Sequence, residues 1–397
     1  MFSCFYQGTA VSFETVHHGI QSAERLCSSF VGFPIGHPRS KKVTKRGLNS
    51  PFRMGRMRAG QMKFAFSFGL ALVVSLACAQ GAPHSSDQVH LGGKEYVRLA
   101  DWAKGNDLKA RWLKSDETLE LTGPGARLFL NVDSCEARIN GINVWLLSPV
   151  AQRNGTVYIA QQDVESTLKP LLSPPGNDSR AGAIKTICLD PGHGGADPGY
   201  CVGASREAKY TLLLAQELRQ QLIRAGFKVA LTRNSDSTVD LPARPELAKR
   251  RKADLFVSLH FNAVTDTSNS VRGTEVYCLT PAGASSTNAR GEGGNANWCA
   301  GNRQNDKNLV LAYHMQKSLT RNLETEDRGV RRARFAVLRG ALMPAILIEA
   351  GFLSHPVEGR KILDSAYRRE IARAIVEGLV SYKHLVEAAA DIKTAQR

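Results

Sequence analysis

Two histidines and two glutamates, far apart in the 397-residue chain, are of the types that together hold a divalent ion and activate water. His193 lies in Asp190-Pro191-Gly192-His193-Gly194-Gly195, directly after an apolar run. Its flanking glycines let the backbone turn sharply and bring the imidazole to the carboxyl edge of a sheet. His260 ends the run Leu255-Phe256-Val257-Ser258-Leu259, which delivers it to the same edge. Glu207 opens a leucine-rich helical stretch 14 residues after His193, close enough for a short loop to fold it back. Two imidazoles and a carboxylate suit zinc with a fourth position left for water, whose pKa such a metal lowers to about 7. Glu349 ends Ala345-Ile346-Leu347-Ile348, so apolar residues carry a carboxylate into the interior, at a cost unless it binds metal or moves protons. It is assigned to take a proton from the activated water and pass it to a leaving nitrogen. A single histidine at a strand end is more often a satisfied structural group, and Glu207 alone could be a helix-start acid stabilised by the dipole. Convergence of all four on one edge is what distinguishes the chemical reading.

The elements that must position these residues are legible as alternating patterns. Strands are expected over 186–190, 227–232, 255–260, 274–279, 335–338 and 345–349, and helices over 208–225, 242–251, 309–323 and 367–379. That order predicts an α/β domain over 183–385, with a mainly parallel twisted sheet covered by helices on both faces, followed by a tail over 386–397. Before it, residues 90–172 show period-two alternation broken by Gly, Asn and Asp, which reads as a small, mainly β module. The turn-rich Ser173-Pro174-Pro175-Gly176-Asn177-Asp178-Ser179 marks a linker over 173–182.

The net charge of +16 is unevenly placed: residues 1–61 carry +7, and Lys63 one more, leaving +8 for the remainder. A surplus of that size suits an acidic polymer such as cell wall and does not call for nucleic acid. After Met62-Lys63, an apolar run over 64–76 is followed by Ala77-Cys78-Ala79, the pattern of an export signal too short to span a bilayer comfortably. The expectation is a signal peptide over 62–79 and a mis-called start or disordered leader over 1–61. The mature chain is then exported to the periplasm or cell envelope, without a membrane span, with a lipid anchor through Cys78 as the alternative to simple cleavage. Cleavage leaves five cysteines, an odd number, none in CxxC spacing. Cys278 and Cys299 bracket one loop and could close it, but buried free thiols are the favoured state.

From Lys185 to Tyr382 the chain resembles the zinc-dependent N-acetylmuramoyl-L-alanine amidases. The resemblance rests on Leu189-Asp190-Pro191-Gly192-His193-Gly194-Gly195, on Glu207, on Val229-Ala230-Leu231-Thr232-Arg233, and on Ala253-Asp254-Leu255-Phe256-Val257-Ser258-Leu259-His260-Phe261-Asn262-Ala263. It extends through Gly273-Thr274-Glu275-Val276-Tyr277, Phe335-Ala336-Val337-Leu338-Arg339 and Pro344-Ala345-Ile346-Leu347-Ile348-Glu349-Ala350-Gly351-Phe352-Leu353-Ser354. It implies a phosphorylase/hydrolase-like fold, zinc held by His193, Glu207 and His260, Glu349 as the catalytic carboxylate, and hydrolysis of the amide joining N-acetylmuramic acid to L-alanine in peptidoglycan. The upstream module resembles small modules found at the N-terminus of copper amine oxidases and of many cell-envelope proteins, through Tyr96-Val97, Asn140-Gly141 and Thr156-Val157-Tyr158-Ile159.

The chain departs from the family with Ala208 where Lys is common and His355 where Asn is common. Relatives can carry a helical insert that plugs the site until an activator protein removes it. Here residues 281–308 are rich in Gly and Asn, so a flap or disulfide-tied loop is expected instead. Arg328, Arg331, Arg332 and Arg334 are candidates for gripping stem-peptide carboxylates, against the reading of a solvated basic face. Arg233 and Arg244 read as structural, as in the main do His314 and His355. The competing functions are a catalytically silent wall-binding or activator protein and a zinc peptidase cutting within the stem.

Overall fold

A computed structural model describes residues 88–176, 183–264, 270–288 and 297–395, with side chains to 389. The leader, the signal-peptide region with Cys78, and the centre of the Gly/Asn-rich segment lie outside the described residues. Two strands, Gln88–Leu91 and Lys94–Arg98, pair with Ala151–Arg153 and Thr156–Ala160 in a small antiparallel sheet. Among the described residues, a second sheet has eleven strands. In chain order these are β1 (Lys109–Lys114), β2 (Thr118–Gly123), β3 (Ala126–Asn131), β4 (Glu136–Ile139), β5 (Ile142–Trp145), β6 (Thr186–Pro191), β7 (Lys228–Leu231), β8 (Leu255–Asn262), β9 (Thr274–Leu279), β10 (Asp327–Ala333) and β11 (Ala345–Phe352). Across the sheet they run β7-β6-β8-β11-β9-β10-β5-β4-β3-β2-β1.

The eleven-stranded sheet as a whole is mixed, while among its described strands within 183–385 four of the five pairings are parallel and one, β9 with β11, is antiparallel. Its β7-β6-β8-β11 portion is parallel, β9 runs antiparallel to β11, β10 is parallel to β9, and β1 to β5 form an antiparallel meander. The two halves join at β5 and β10 through the pair Val144 and Val330. Polar contacts reinforce that seam: Asn143 N donates to Asp327 Oδ2 at 2.8 Å, its side-chain amide donates to Asp327 O at 2.8 Å, and Trp145 Nε1 donates to Arg328 O at 3.2 Å.

Among the described residues, five helices of eight residues or more flank the second half: α1 (Glu207–Arg224), α2 (Ala243–Arg250), α3 (Asn305–Leu323), α4 (Pro356–Leu363) and α5 (Ser365–Ala395). In α1, Tyr210, Leu214, Leu218 and Leu222 recur every fourth residue and are buried, so one stripe faces the sheet. With α3 and α5 it covers the face bearing Val257, Leu259, Val276 and Ile348. The opposite face holds a smaller cluster of Phe256, Tyr277, Leu347 and Val337 with Ala248 of α2. Helices therefore lie on both faces, unequally. No described helix is long and apolar enough to cross a membrane.

The expected strand over 335–338 is instead a short helix, Ala336–Arg339, in which Phe335 O accepts from Leu338 N and Arg339 N. The strand lies just upstream as β10, where arginines stand at positions that a sheet interior usually gives to apolar residues. That substitution of guanidinium for hydrocarbon is why the pattern was hidden.

Candidate metal and catalytic centre

The strand β6 ends at Pro191, and Gly192 begins a loop that approaches β8 so closely that a Cβ on Gly192 would stand 2.2 Å from His260 Cε1. Glycine is required there by contact rather than by flexibility. His193 follows in the left-handed region at φ +60°, an uncommon conformation for a side chain with a Cβ. The loop is clamped from below. Arg233 donates to Pro191 O at 2.9 Å and to Gly192 O at 2.7 Å, and Arg244 donates to His193 O at 3.0 Å. Asp190 anchors the base, accepting from Thr232 Oγ1 at 2.6 Å, Ser258 Oγ at 2.8 Å and Arg244 Nη1 at 2.9 Å.

The clamps bring His193, Glu207 and His260 together, with one ligand atom of each within 4.8 Å of the others. Glu207 Oε1 lies 3.1 Å from His193 Nε2 and 3.1 Å from His260 Nδ1. Backbone amides fix the same carboxylate, Phe261 N to Oε1 at 3.1 Å and Tyr200 N to Oε2 at 3.0 Å. On the outer side, His193 Nδ1 is 2.8 Å from Asp197 Oδ2, so the ring turns Nε2 inward. A carboxylate behind a ligating histidine is the usual support of such a ligand. Four tetrahedral ligands about 2.0–2.1 Å from zinc stand some 3.4 Å apart, and the 3.1 Å separations of Glu207 Oε1 from the two histidine nitrogens are near that spacing.

The charges agree with that geometry. Burial alone would lower the pKa of His193, but the hydrogen bonds and charges of Glu207 and Asp197 override it and raise it to about 9. Glu207 resists its burial through both histidines and lies well below the carboxylate range. His260 is lowered by burial despite the Glu207 contact, and by the charge of His193.

Glu349 is the register partner of His260 across β8 and β11, so both side chains project from the same face. Its Oε2 is buried without a hydrogen-bond partner, the one carboxylate oxygen of that kind among the described residues. Burial, then the charges of Glu207 and Glu275, push its pKa well above the usual range. Glu275 is the partner of Glu349 on β9, placing three ionisable residues in a row across β8, β11 and β9. Unlike Glu349 it is satisfied: Arg328 Nε donates at 2.6 Å and Tyr277 OH at 2.5 Å.

Sequence reading did not single out Asp197 or Glu275. An acid four residues past His193 was a usable signal for the first, and an acid between Thr274 and Val276 in an apolar strand for the second. The other candidates lie elsewhere. His355 caps α4, its Nδ1 accepting from Glu358 N at 3.1 Å, and His314 Nδ1 lies 2.9 Å from Ser381 Oγ between α3 and α5. Arg331 and Arg332 are each 2% exposed, which excludes a solvated face for them. Arg331 stacks 4.1 Å over Trp145, Arg332 donates to Ser166 O at 2.7 Å, and Arg334 bonds Ala284 O. Cys278 and Cys299 are free thiols, bonded to Arg331 O and Asn302 Oδ1 rather than to each other.

The profile of the N-acetylmuramoyl-L-alanine amidases matches residues 187–381. The amidase AmiC of Neisseria meningitidis serogroup B is 36% identical over 242 residues, which is 55% of this chain and 57% of that protein. AmiA of Escherichia coli K12 is 33% identical over 229 residues, 52% of this chain and 78% of that protein. The AmiC2 structure from Nostoc punctiforme aligns with 51% of this chain and 99% of its own at 30% identity and a TM-score of 0.43. The chain belongs to the N-acetylmuramoyl-L-alanine amidase family.

Proposed function

We propose that this protein hydrolyses the amide between N-acetylmuramic acid and L-alanine of peptidoglycan, with zinc held by His193, Glu207 and His260 and with Glu349 as the proton carrier. The buried Oε2 of Glu349, without a hydrogen-bond partner beside a cluster of metal-type donors, carries this reading: a desolvated carboxylate oxygen left without a donor there is placed to take up a proton or an outside group. The ion, when bound, supplies a Lewis acid and a water acidified to about 7. Glu349, made basic by burial and by its two acidic neighbours, accepts a proton at its carboxylate and returns it to the leaving alanine nitrogen. Asp197 holds the His193 ring with Nε2 turned toward Glu207 Oε1, where it would serve as a ligand.

The proposed setting follows from the substrate and the leader: an exported protein of the periplasm or cell envelope, acting in wall remodelling and daughter-cell separation, with an activator protein as a partner. A lipid anchor through Cys78 belongs to the same proposal.

Digestion of purified sacculi with the zinc-loaded full chain tests the reaction. Mass analysis should show stems with a new N-terminal alanine and glycan with free lactyl carboxylates. Cuts inside the stem would mark a peptidase, and wall binding without product a silent binder; either overturns the amidase reading.

A further inference from the structure

We infer that the seam between β10 and the β3-β4-β5 meander is a second substrate subsite, which takes the charged distal end of the stem peptide while the amide lies at Glu349. The inference rests on the amidase reading above and adds to it where the peptide goes. A pocket of about 420 Å³ opens at this seam, within the size range of ligand sites. Its walls come from both halves of the chain, including Phe129, Arg138 and Trp145 on one side and Glu326, Arg328 and Arg331 on the other.

Register connects this pocket to the catalytic row. Cross-strand partners project from one face of a sheet, and so do residues two apart on one strand. Glu349 pairs with Glu275, Tyr277 is two residues on, and Tyr277 pairs with Arg331. Val330 pairs with Val144 on the opposite face, so Trp145 and Asn143 share the face of Arg331. Trp145 pairs with Glu136, Asn143 with Arg138, and Arg138 with Phe129. The unsatisfied carboxylate and the aromatic end of the pocket thus share one face of the sheet, with Glu275, Tyr277 and Arg331 buried between them and Glu326 and Arg328 at the pocket itself.

The spacing suits a peptide. Strands lie about 4.8 Å apart, so β10 and β5 stand roughly 10 and 14 Å from β11. An extended peptide advances about 3.3 Å per residue, so its third and fourth residues reach the pocket. The chemistry suits it too. Arg138 and Glu136 are exposed neighbours of opposite sign on β4, and Glu326 sits across from them. Once its lactyl group is in amide linkage the glycan carries no charge to match such a lining, whereas a stem with free carboxylates and a side-chain ammonium presents both signs.

Calorimetric titration of the zinc-loaded full chain with a free stem tetrapeptide bearing carboxylates and an ammonium tests this. Binding should weaken about tenfold in Arg138→Glu and in Glu136→Lys, and hold in Lys109→Glu on β1. The ratio of kcat/KM for a muramoyl-tetrapeptide over muramoyl-L-alanine should fall by a similar factor in the first two. Absence of tetrapeptide binding by the unsubstituted chain, or equal binding and an equal ratio in all variants, overturns the subsite. If the peptide binds through these residues but sacculi are not cut, the subsite stands and the hydrolytic reading falls. If sacculi are cut and the ratio does not move, the reverse holds.

Discussion

The β8-β11 edge and the β10 strand both bury charge, and they resolve it in opposite ways. At β10 the charges find partners inside the fold. Glu275 takes Arg328, with Arg331 at 3.6 Å, and Arg332 reaches Ser166 O and Thr167 Oγ1 beside the buried Asp163. At the β8-β11 edge, two histidines crowd one oxygen of Glu207 and Glu349 Oε2 has no partner. Desolvated charge that is internally matched serves architecture, and charge left open to an outside ligand serves chemistry. One sheet shows both within a few strands.

The strongest challenge to this contrast is removal of the open carboxylate. Glu349→Gln should cut kcat on sacculi by about 10²–10⁴-fold, the range for loss of a proton carrier, while zinc content stays at the unsubstituted level. Thermal stability should hold or rise, because the amide has no charge to desolvate. A variant that loses its zinc or unfolds would place Glu349 among the architectural charges instead.

Next in size is the ion itself. Protons compete for His193, whose pKa lies near 9 without metal, so a bound ion must displace one. Apparent zinc affinity should therefore rise about tenfold per pH unit across the neutral range and level off above pH 9. Competition titrations at several pH values, together with proton release measured in buffers of different ionisation heat, check the slope. Asp197→Asn should weaken zinc binding by about 10–100-fold, the usual cost of losing a ligand's support. A pH-independent affinity would mean that the donors do not act as a ligand set.

On the matched side, Arg332→Ala should cost about 2–4 kcal/mol in chemical denaturation, because it strands the charge of Asp163 in the interior, and should leave zinc affinity unchanged. Loss of metal in this variant would blur the division between the two regions.

The same division explains what the sequence disclosed. His193, Glu207, His260 and Glu349 were visible because each sits next to a local break in pattern: glycines around a turn, a helix start, an acid ending a run of Ile and Leu. The solvated-face reading of Arg331 and Arg332 failed because their contacts, Trp145 and Ser166, lie far away in the chain, and no local pattern carries that information. The join of β5 to β10 was invisible for the same reason, since a single pair, Val144 with Val330, closes a gap of nearly two hundred positions. The alternating helices and strands were legible where apolar periodicity was intact, and failed at 335–338 where the true strand was written in arginine.

The smallest effect expected lies in the helix layer, at a third kind of buried polar group. His314 sits between α3 and α5 with Ser381 Oγ at its Nδ1, and burial, then the charge of Lys317, lowers its pKa to about 4. A histidine whose folded pKa is below its unfolded value of about 6.5 binds fewer protons when folded. Its contribution is therefore fully present above pH 6.5 and is lost as the pH falls toward 4. Urea denaturation at several pH values should show stability declining through that window, and His314→Gln should flatten the decline without moving the zinc-affinity profile set by His193. If His314→Gln shifted the zinc profile instead, the helix layer and the metal edge would be coupled, and the separation of matched from open charge would not extend beyond the sheet.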